Sequence, residues 1–257
     1  MVILNLILIV FLSILFIQLL AYIYAISVNR VDIVDSIWGL SFIAGLAGLQ
    51  IIQPNYSAAV LIIDGLVSIW GLRLFWHIYR RFYNSSHQDS RYTSLMARWP
   101  KRWVKTQIFM KIFFTQTVLA TLISLSIIAV HASNPGISWA LLAGVLIWCV
   151  GFIFEVIADK QLKDFLIKPN RPQLMTEGLW KYSRHPNYFG EITMWWGIAT
   201  VALSTPVWWL GLFGASVITV LICLVSGIPP AEKQAAIKPG WEAYKSKTSA
   251  LIPWLPK

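Results

Sequence analysis

VILNLILIVFLSILFIQLLAYIYAISV, residues 2–28, runs from end to end without an Asp, Glu, Lys or Arg. About 20 residues of helix cross the hydrocarbon core of a bilayer. Backbone N–H and C=O groups in lipid must pair within their own segment, so a helix is the economical form for this run. No Lys or Arg precedes Arg30. The run therefore lacks the basic start of a cleaved signal peptide and is expected to stay in the mature protein as a first span.

Outward from this stretch, six more apolar runs follow: Ile33–Ile52, Ala58–Tyr79, Ile112–Val130, Ile137–Ala158, Tyr188–Leu203 and Val207–Ile228. The sixth is short for a full crossing. Together the runs predict an all-α, polytopic integral membrane protein with about seven transmembrane helices, in a single domain covering residues 1–257. Composition agrees: 57% of residues are hydrophobic and 12% charged, with a mean hydropathy of +0.65, whereas soluble domains carry about 25% charged residues. Cys149 and Cys223 both fall inside apolar runs. They read as packing residues, and no metal or disulfide framework is expected.

The cations decide orientation. Gln53–Ser57 and Ser204–Pro206 contain no Lys or Arg, and His131–Gly136 offers only a histidine. Basic residues crowd the alternate connectors, Arg80–Lys111, Lys160–Arg184 and Lys233–Lys257. The positive-inside rule then puts the amino terminus outside and the carboxyl terminus in the cytoplasm, a parity that suits seven helices. The same distribution accounts for the net charge of +10 without nucleic acid. Membrane lipids are the expected surroundings, and a monomer is expected.

Ionisable groups within spans default to functional candidates. Asp64, near the outer third of the third run, reads as a structural hydrogen-bonding group, and Arg73 as a snorkelling cation. Glu155 and Asp159 stand four apart, on one face of the inner end of the fifth run, followed by Lys160, Lys163 and Lys168. The densest stretch is EGLWKYSRHPNYFGE, residues 177–191. Pro186 suits a first helical position. Asn187 and Glu191 then share one face of a helix whose amino end lies beside Arg184 and His185. Unpaired N–H groups next to cations suit a phosphate or pyrophosphate.

The run K-x-N-R-P-x5-G-L-W-K-Y-S-R-H-P-N-Y-F-G-E, preceded by E-V-I-A-D-K-Q, resembles the steroid 5-alpha-reductase family and its bacterial relatives. Tyr244 to Trp254 (YKSKTSALIPW) resembles the ending of those enzymes. Isoprenylcysteine and phospholipid methyltransferases share an R-H-P-x-Y-x-G core and use S-adenosylmethionine, so a membrane methyltransferase is the alternative reading. Asn187 and Asp159 favour the reductases. That resemblance implies NADPH-dependent reduction of the C=C bond of a 3-oxo-4-ene steroid or similar conjugated enone lipid, entering from the bilayer. The expected location is the inner cell membrane, with the active site facing the cytoplasm.

Cofactor contacts implied by the resemblance are Asp159, Tyr182, Asn187 and Glu191, with Arg171 and Arg184; the loop Asp89–Tyr92 matches a cofactor-contacting loop by Arg91 and Tyr92 only, and Asp89 and Arg91 join the candidate set. Glu155, Lys168, His185, Tyr188, Glu232 and Tyr244 complete the candidate cofactor set. Glu232 stands where the family often has histidine. The glutamate that faces the substrate ketone falls near Asp35, and its assisting tyrosine near Trp70, which cannot donate as a phenol does. Asp35 is therefore expected to donate to the carbonyl as a protonated acid, burial favouring the neutral form. Asp32, nearer Arg30, is expected to be ion-paired, and Tyr79 or Tyr83 is the next catalytic candidate. No G-x-G-x-x-G opens a strand–helix unit, so the cofactor site is not expected to be Rossmann-like.

Overall fold

The first apolar run ends where its chemistry ends. Asn29 takes a left-handed conformation (φ 53°) and caps α1 (Val2–Val28) by bonding its N–H to Ala25 O. The computed structural model describes residues 1–133 and 135–257. Asn134, in a loop expected outside, lies beyond the described residues. The chain is 76% helix, with no strand among the described residues. The helices gather into two compact units, Met1–Ile137 and Ser138–Lys257.

Six helices among the described residues are long and apolar enough to cross a membrane: Val2–Val28, Ile33–Ile52, Ala58–Asn84, Lys101–Ile123, Trp139–Leu166 and Trp208–Ala235. The sixth run of the sequence forms α9 (Pro186–Ala202), of 17 residues. At ~1.5 Å per residue it spans about 26 Å. Ten of its residues are buried, so it packs mainly against protein.

In the first unit, α1 buries a stripe of Leu6, Val10, Ile14, Gln18, Ala21 and Ala25, spaced three and four apart as one helical face requires. Leu4, Leu8, Leu12 and Phe16 remain exposed on the other side, as suits lipid. The stripe packs on α2 (Ile33–Ile52), and α2 packs on α3 (Ala58–Asn84). Gly39 and Gly71 face each other there: a Cβ on Gly71 would lie 2.7 Å from Gly39 O. Gln18, fully buried, donates to Ser41 Oγ at 2.9 Å. Beyond α3 come α4 (Ser90–Met96), α5 (Val104–Ile108), a π-helical turn (Phe109–Phe114), α6 (Thr115–Ile123) and α7 (Leu125–Ser133).

In the second unit, α8 (Trp139–Leu166) and α9 run antiparallel, joined by two glycine pairs. A Cβ on Gly151 would lie 2.5 Å from Gly190 O, and one on Gly144 would lie 2.5 Å from Gly197 O. Without side chains there, the backbones close to contact, which is how helices associate where lipid removes the hydrophobic drive. α10 (Trp208–Val220) packs on α9, with Gly211 against Ala202. It continues through a second π-helical turn (Leu221–Val225) into α11 (Ile228–Ala235) and α12 (Trp241–Lys247).

Candidate functional site

In the second unit, the glycine contact fixes where the polar residues come to rest. Gly190 lies against Glu155, whose N would be 2.6 Å from an added Cβ, and Glu155 is buried at 3% exposure. One turn on, Asp159 Oδ1 accepts from Asn187 Nδ2 at 3.2 Å. Pro186 occupies the first turn of α9, as its sequence implies. The carboxylates of α8 and the amino end of α9 are thereby brought together.

Two buried atoms of this cluster have no hydrogen-bond partner: Asn187 Oδ1 and His185 Nε2. Glu232 Oε1 lies 3.5 Å from His185 Nε2, at the limit of hydrogen-bond distance. Its ring stacks on Tyr188, centroids 5.5 Å apart. Burial holds the imidazole below its ordinary pKa, against the pull of Glu232, so it favours the neutral form. A buried polar atom left unmade costs about 1–3 kcal/mol. The pair fits a ligand that offers a donor to Asn187.

Arg184 is committed elsewhere. Its Nε and Nη2 donate to Glu232 Oε1 at 2.8 and 2.6 Å. Nη1 donates to Lys245 O at 3.1 Å and to Thr248 O, and its backbone N–H to Ser249 O at 2.8 Å. Arg184 and Glu232, expected as cofactor contacts, therefore form a structural tie, because the tail presents enough acceptors to occupy the guanidinium. Tyr244 is likewise occupied, its hydroxyl donating to Trp180 O at 2.5 Å, and burial pushes its phenol up. Trp254 N bonds to Tyr182 O at 3.0 Å, and Ser183 Oγ to Leu251 O at 2.7 Å. The tail is thus a strap across residues 180–185. Lys168, Arg171 and the Tyr182 ring are exposed, and Glu191 is half-buried on α9.

The first unit holds a second cluster, at the amino end of α2. Asp35 Oδ2 accepts from Arg91 Nη2 at 2.7 Å, and Oδ1 accepts from the Tyr92 hydroxyl at 2.5 Å. Arg91 also chelates Asp89 through Nε and Nη2, at 2.9–3.1 Å. Burial would raise Asp89, but hydrogen bonds from Arg91 and its charge outweigh it and leave the carboxyl below its ordinary value. Burial, then Asp35, push the Tyr92 phenol up, so it remains a neutral donor. A cavity of about 330 Å³ opens here, lined by Asp32, Asp35, Arg81, Phe82, Gln88 and Asp89 among others.

This geometry shows what holds the expected residues. Both oxygens of Asp35 accept, one from Arg91 and one from Tyr92, so the hydroxyl beside it is that of Tyr92. Arg91, expected with Asp89 to contact cofactor, bridges Asp89 and Asp35, because the arginine fork spans two carboxylates. Asp32 is ion-paired as expected, taking both Arg30 Nε and Nη2, at 2.9 and 2.8 Å. Trp70 is buried at 2% exposure, edge-to-face with Phe42. Tyr79 stacks on Phe75 within an aromatic row. Trp70 and Tyr79 thus each pack against an aromatic neighbour.

Tyr92, which with Arg91 carries the match of the Asp89–Tyr92 loop, donates to Asp35, a partner the sequence reading did not foresee. Thr248 lay beyond the sequence reading, since nothing marks its carbonyl in advance. Asp64 does hold a structural network, receiving Gln50 Nε2 at 2.8 Å and facing His131 Nε2 at 2.8 Å.

No curated protein matches the chain. The model of a family described as protein of unknown function (DUF1295) matches residues 21–248, from within α1 to just past the end of α12, and the chain belongs to that family, which falls in the steroid 5-alpha-reductase-like group.

Proposed function

We propose that the chain is an NADPH-dependent membrane reductase acting on the C=C bond of a conjugated enone lipid, with 3-oxo-4-ene steroids as the model class. The observation that carries this reading is the buried, unpartnered Asn187 Oδ1 beside His185 Nε2 at the amino end of α9. A nicotinamide cofactor has carboxamide and hydroxyl donors for that oxygen, and a pyrophosphate suited to helix amides. Asp159 holds Asn187 in place, and the exposed Lys168 and Arg171 are the cations in reach of solvent for a 2′-phosphate. Bound NADPH would supply the hydride; the protein supplies position and a polarising environment. In the first unit, considered by itself, the neutral Tyr92 phenol beside Asp35 is a donor of the kind that stabilises a developing enolate oxygen.

Seven crossings, with α9 and its flanks as the sixth of them, also belong to this proposal, as do an outside amino terminus and a cytoplasmic site in the inner membrane. Reporter fusions after Asn55 and after Lys257 should report opposite sides. The same side for both would reject the seven-crossing topology.

The cofactor reading is tested by thermal shift of the detergent-purified protein with NADPH, NADH or S-adenosylmethionine. NADPH should stabilise most. One or two charge-assisted hydrogen bonds to a 2′-phosphate, each worth roughly 1.5–3 kcal/mol, give a preference over NADH of about tenfold or more. Asn187→Ala should lose the NADPH shift while melting cooperatively on its own. Stabilisation by S-adenosylmethionine alone would transfer the site to the methyltransferase reading.

A further inference from the structure

The end of α3, the connector after it and the first turns of the next candidate span, Lys101–Ile123, link two helices long and apolar enough to cross a membrane, which puts them at a membrane surface. Their composition is lopsided. Between residues 80 and 111 stand Arg80, Arg81, Arg91, Arg98, Lys101, Arg102, Lys105 and Lys111, against Asp89 as the sole carboxylate. Arg91 is committed to Asp35 and Asp89. Arg98, Lys101, Arg102 and Lys105 are exposed, and none of them pairs with a described carboxylate.

Exposed aromatic residues stand beside two of the cations. Trp103 is 58% exposed, with the Arg102 guanidinium 5.4 Å from its ring, and Trp76 is 54% exposed, with Arg80 at 5.0 Å. Tyr83 is exposed as well. Cations for topology alone need no aromatic partners. Rings with one wet edge and cations stacked on them belong at the headgroup level of a bilayer. Unpaired cations beside a span attract anionic headgroups, at about 1 kcal/mol per residue near the surface.

We propose that Arg98, Lys101, Arg102 and Lys105, with Trp103, form a docking surface for anionic phospholipid headgroups. The surface begins two residues after α4, the short helix that carries Arg91 and Tyr92 to Asp35. α4 packs on the core of the first unit only through the partly buried Tyr92 and Met96, so what holds its ends also bears on its position. Asp89 caps one end through its side chain. A headgroup gathered by Lys101, Arg102 and Lys105 anchors the other, and steadies the Asp35 cluster through it.

The test uses the full chain in nanodiscs of phosphatidylcholine, alone or mixed with phosphatidylglycerol. The anionic lipid should raise the melting temperature and slow amide exchange in Ser90–Met96. Combined Lys101→Gln, Arg102→Gln and Lys105→Gln should remove both effects, with phosphatidylglycerol affinity in detergent falling roughly fivefold per cation. A matched variant, Lys245→Gln, Lys247→Gln and Lys257→Gln, should keep both. The proposal is overturned if the connector variant responds like the parent, or if the tail variant loses as much, which would mean diffuse attraction. It is equally overturned if inorganic phosphate reproduces the effects in phosphatidylcholine alone. None of these readouts depends on NADPH or on turnover, so failure here leaves the reductase reading to its own test.

Discussion

Gly190→Leu should deprive the second unit of its fold, leaving protein that fails to extract as a monodisperse species. The reason is geometric. An added Cβ at 190 meets Gly151 O at 2.5 Å and Glu155 N at 2.6 Å, both backbone atoms with no rotamer through which to retreat. α8 and α9 must then part along their whole shared face, at a loss of about 3 kcal/mol or more, since overpacking by itself removes roughly 1–3 kcal/mol. The separation would also pull Asn187 from Asp159. Gly65→Leu is the control. It sits in α3 with nothing within 4 Å of an added Cβ, so that variant should extract and melt like the parent. Similar behaviour of the two variants in size-exclusion chromatography and thermal melts would show that the close approach is not what holds α8 and α9 together.

The second large effect concerns turnover. On the reductase reading, Asp35→Leu removes activity altogether while leaving the NADPH-dependent thermal shift in place. Leucine takes away the acceptor of both Arg91 and Tyr92, so the phenol loses its orientation and the guanidinium keeps only Asp89. Asp35→Asn keeps an oxygen for one of the two donors and should lose activity only in part. Tyr92→Phe separates the roles: it deletes the donor but leaves the Arg91–Asp35 pair. Loss of one transition-state donor of this kind typically slows turnover by about 10²–10³-fold. The assay is conversion of progesterone with NADPH, followed by product chromatography. Full turnover in Tyr92→Phe would mean that the carbonyl is held elsewhere.

Much of the helix pattern was legible because lipid allows few solutions. The first two spans begin and end where the apolar runs do, at Asn29 and at Gln53-Pro54, since these residues break or cap a helix. The third run overshoots its expected end at Tyr79 and continues to Asn84. Hydropathy stops at Arg80, but a helix does not: long cationic side chains reach water while their backbone keeps its bonds. The fourth begins at Lys101, ahead of the expected Ile112, for a similar reason, with Lys111 Nζ resting over Trp99.

The amino end of α9 was legible too, because Pro186 and the spacing of Asn187 and Glu191 are local facts. What stayed hidden was set by distant partners. Nothing near Asp35 announces that residues 91 and 92 will occupy both its oxygens, and nothing near Arg184 announces the carbonyls of residues 245 and 248. A side chain's type limits what it can bind; which partner arrives is decided by the fold.

The two π-helical turns, Phe109–Phe114 and Leu221–Val225, have a consequence for descent. A π-turn carries one residue more than the α-turn it replaces. One way to make such a turn is to insert a codon and let the helix absorb the extra residue locally. Elsewhere in a helix the same insertion would rotate every later side chain by about 100° and turn a buried face toward lipid. These two segments are therefore where the reading frame of the helix surface is free to change by one. Relatives built on the same helices should differ by single-residue gaps there, with the faces on either side unchanged.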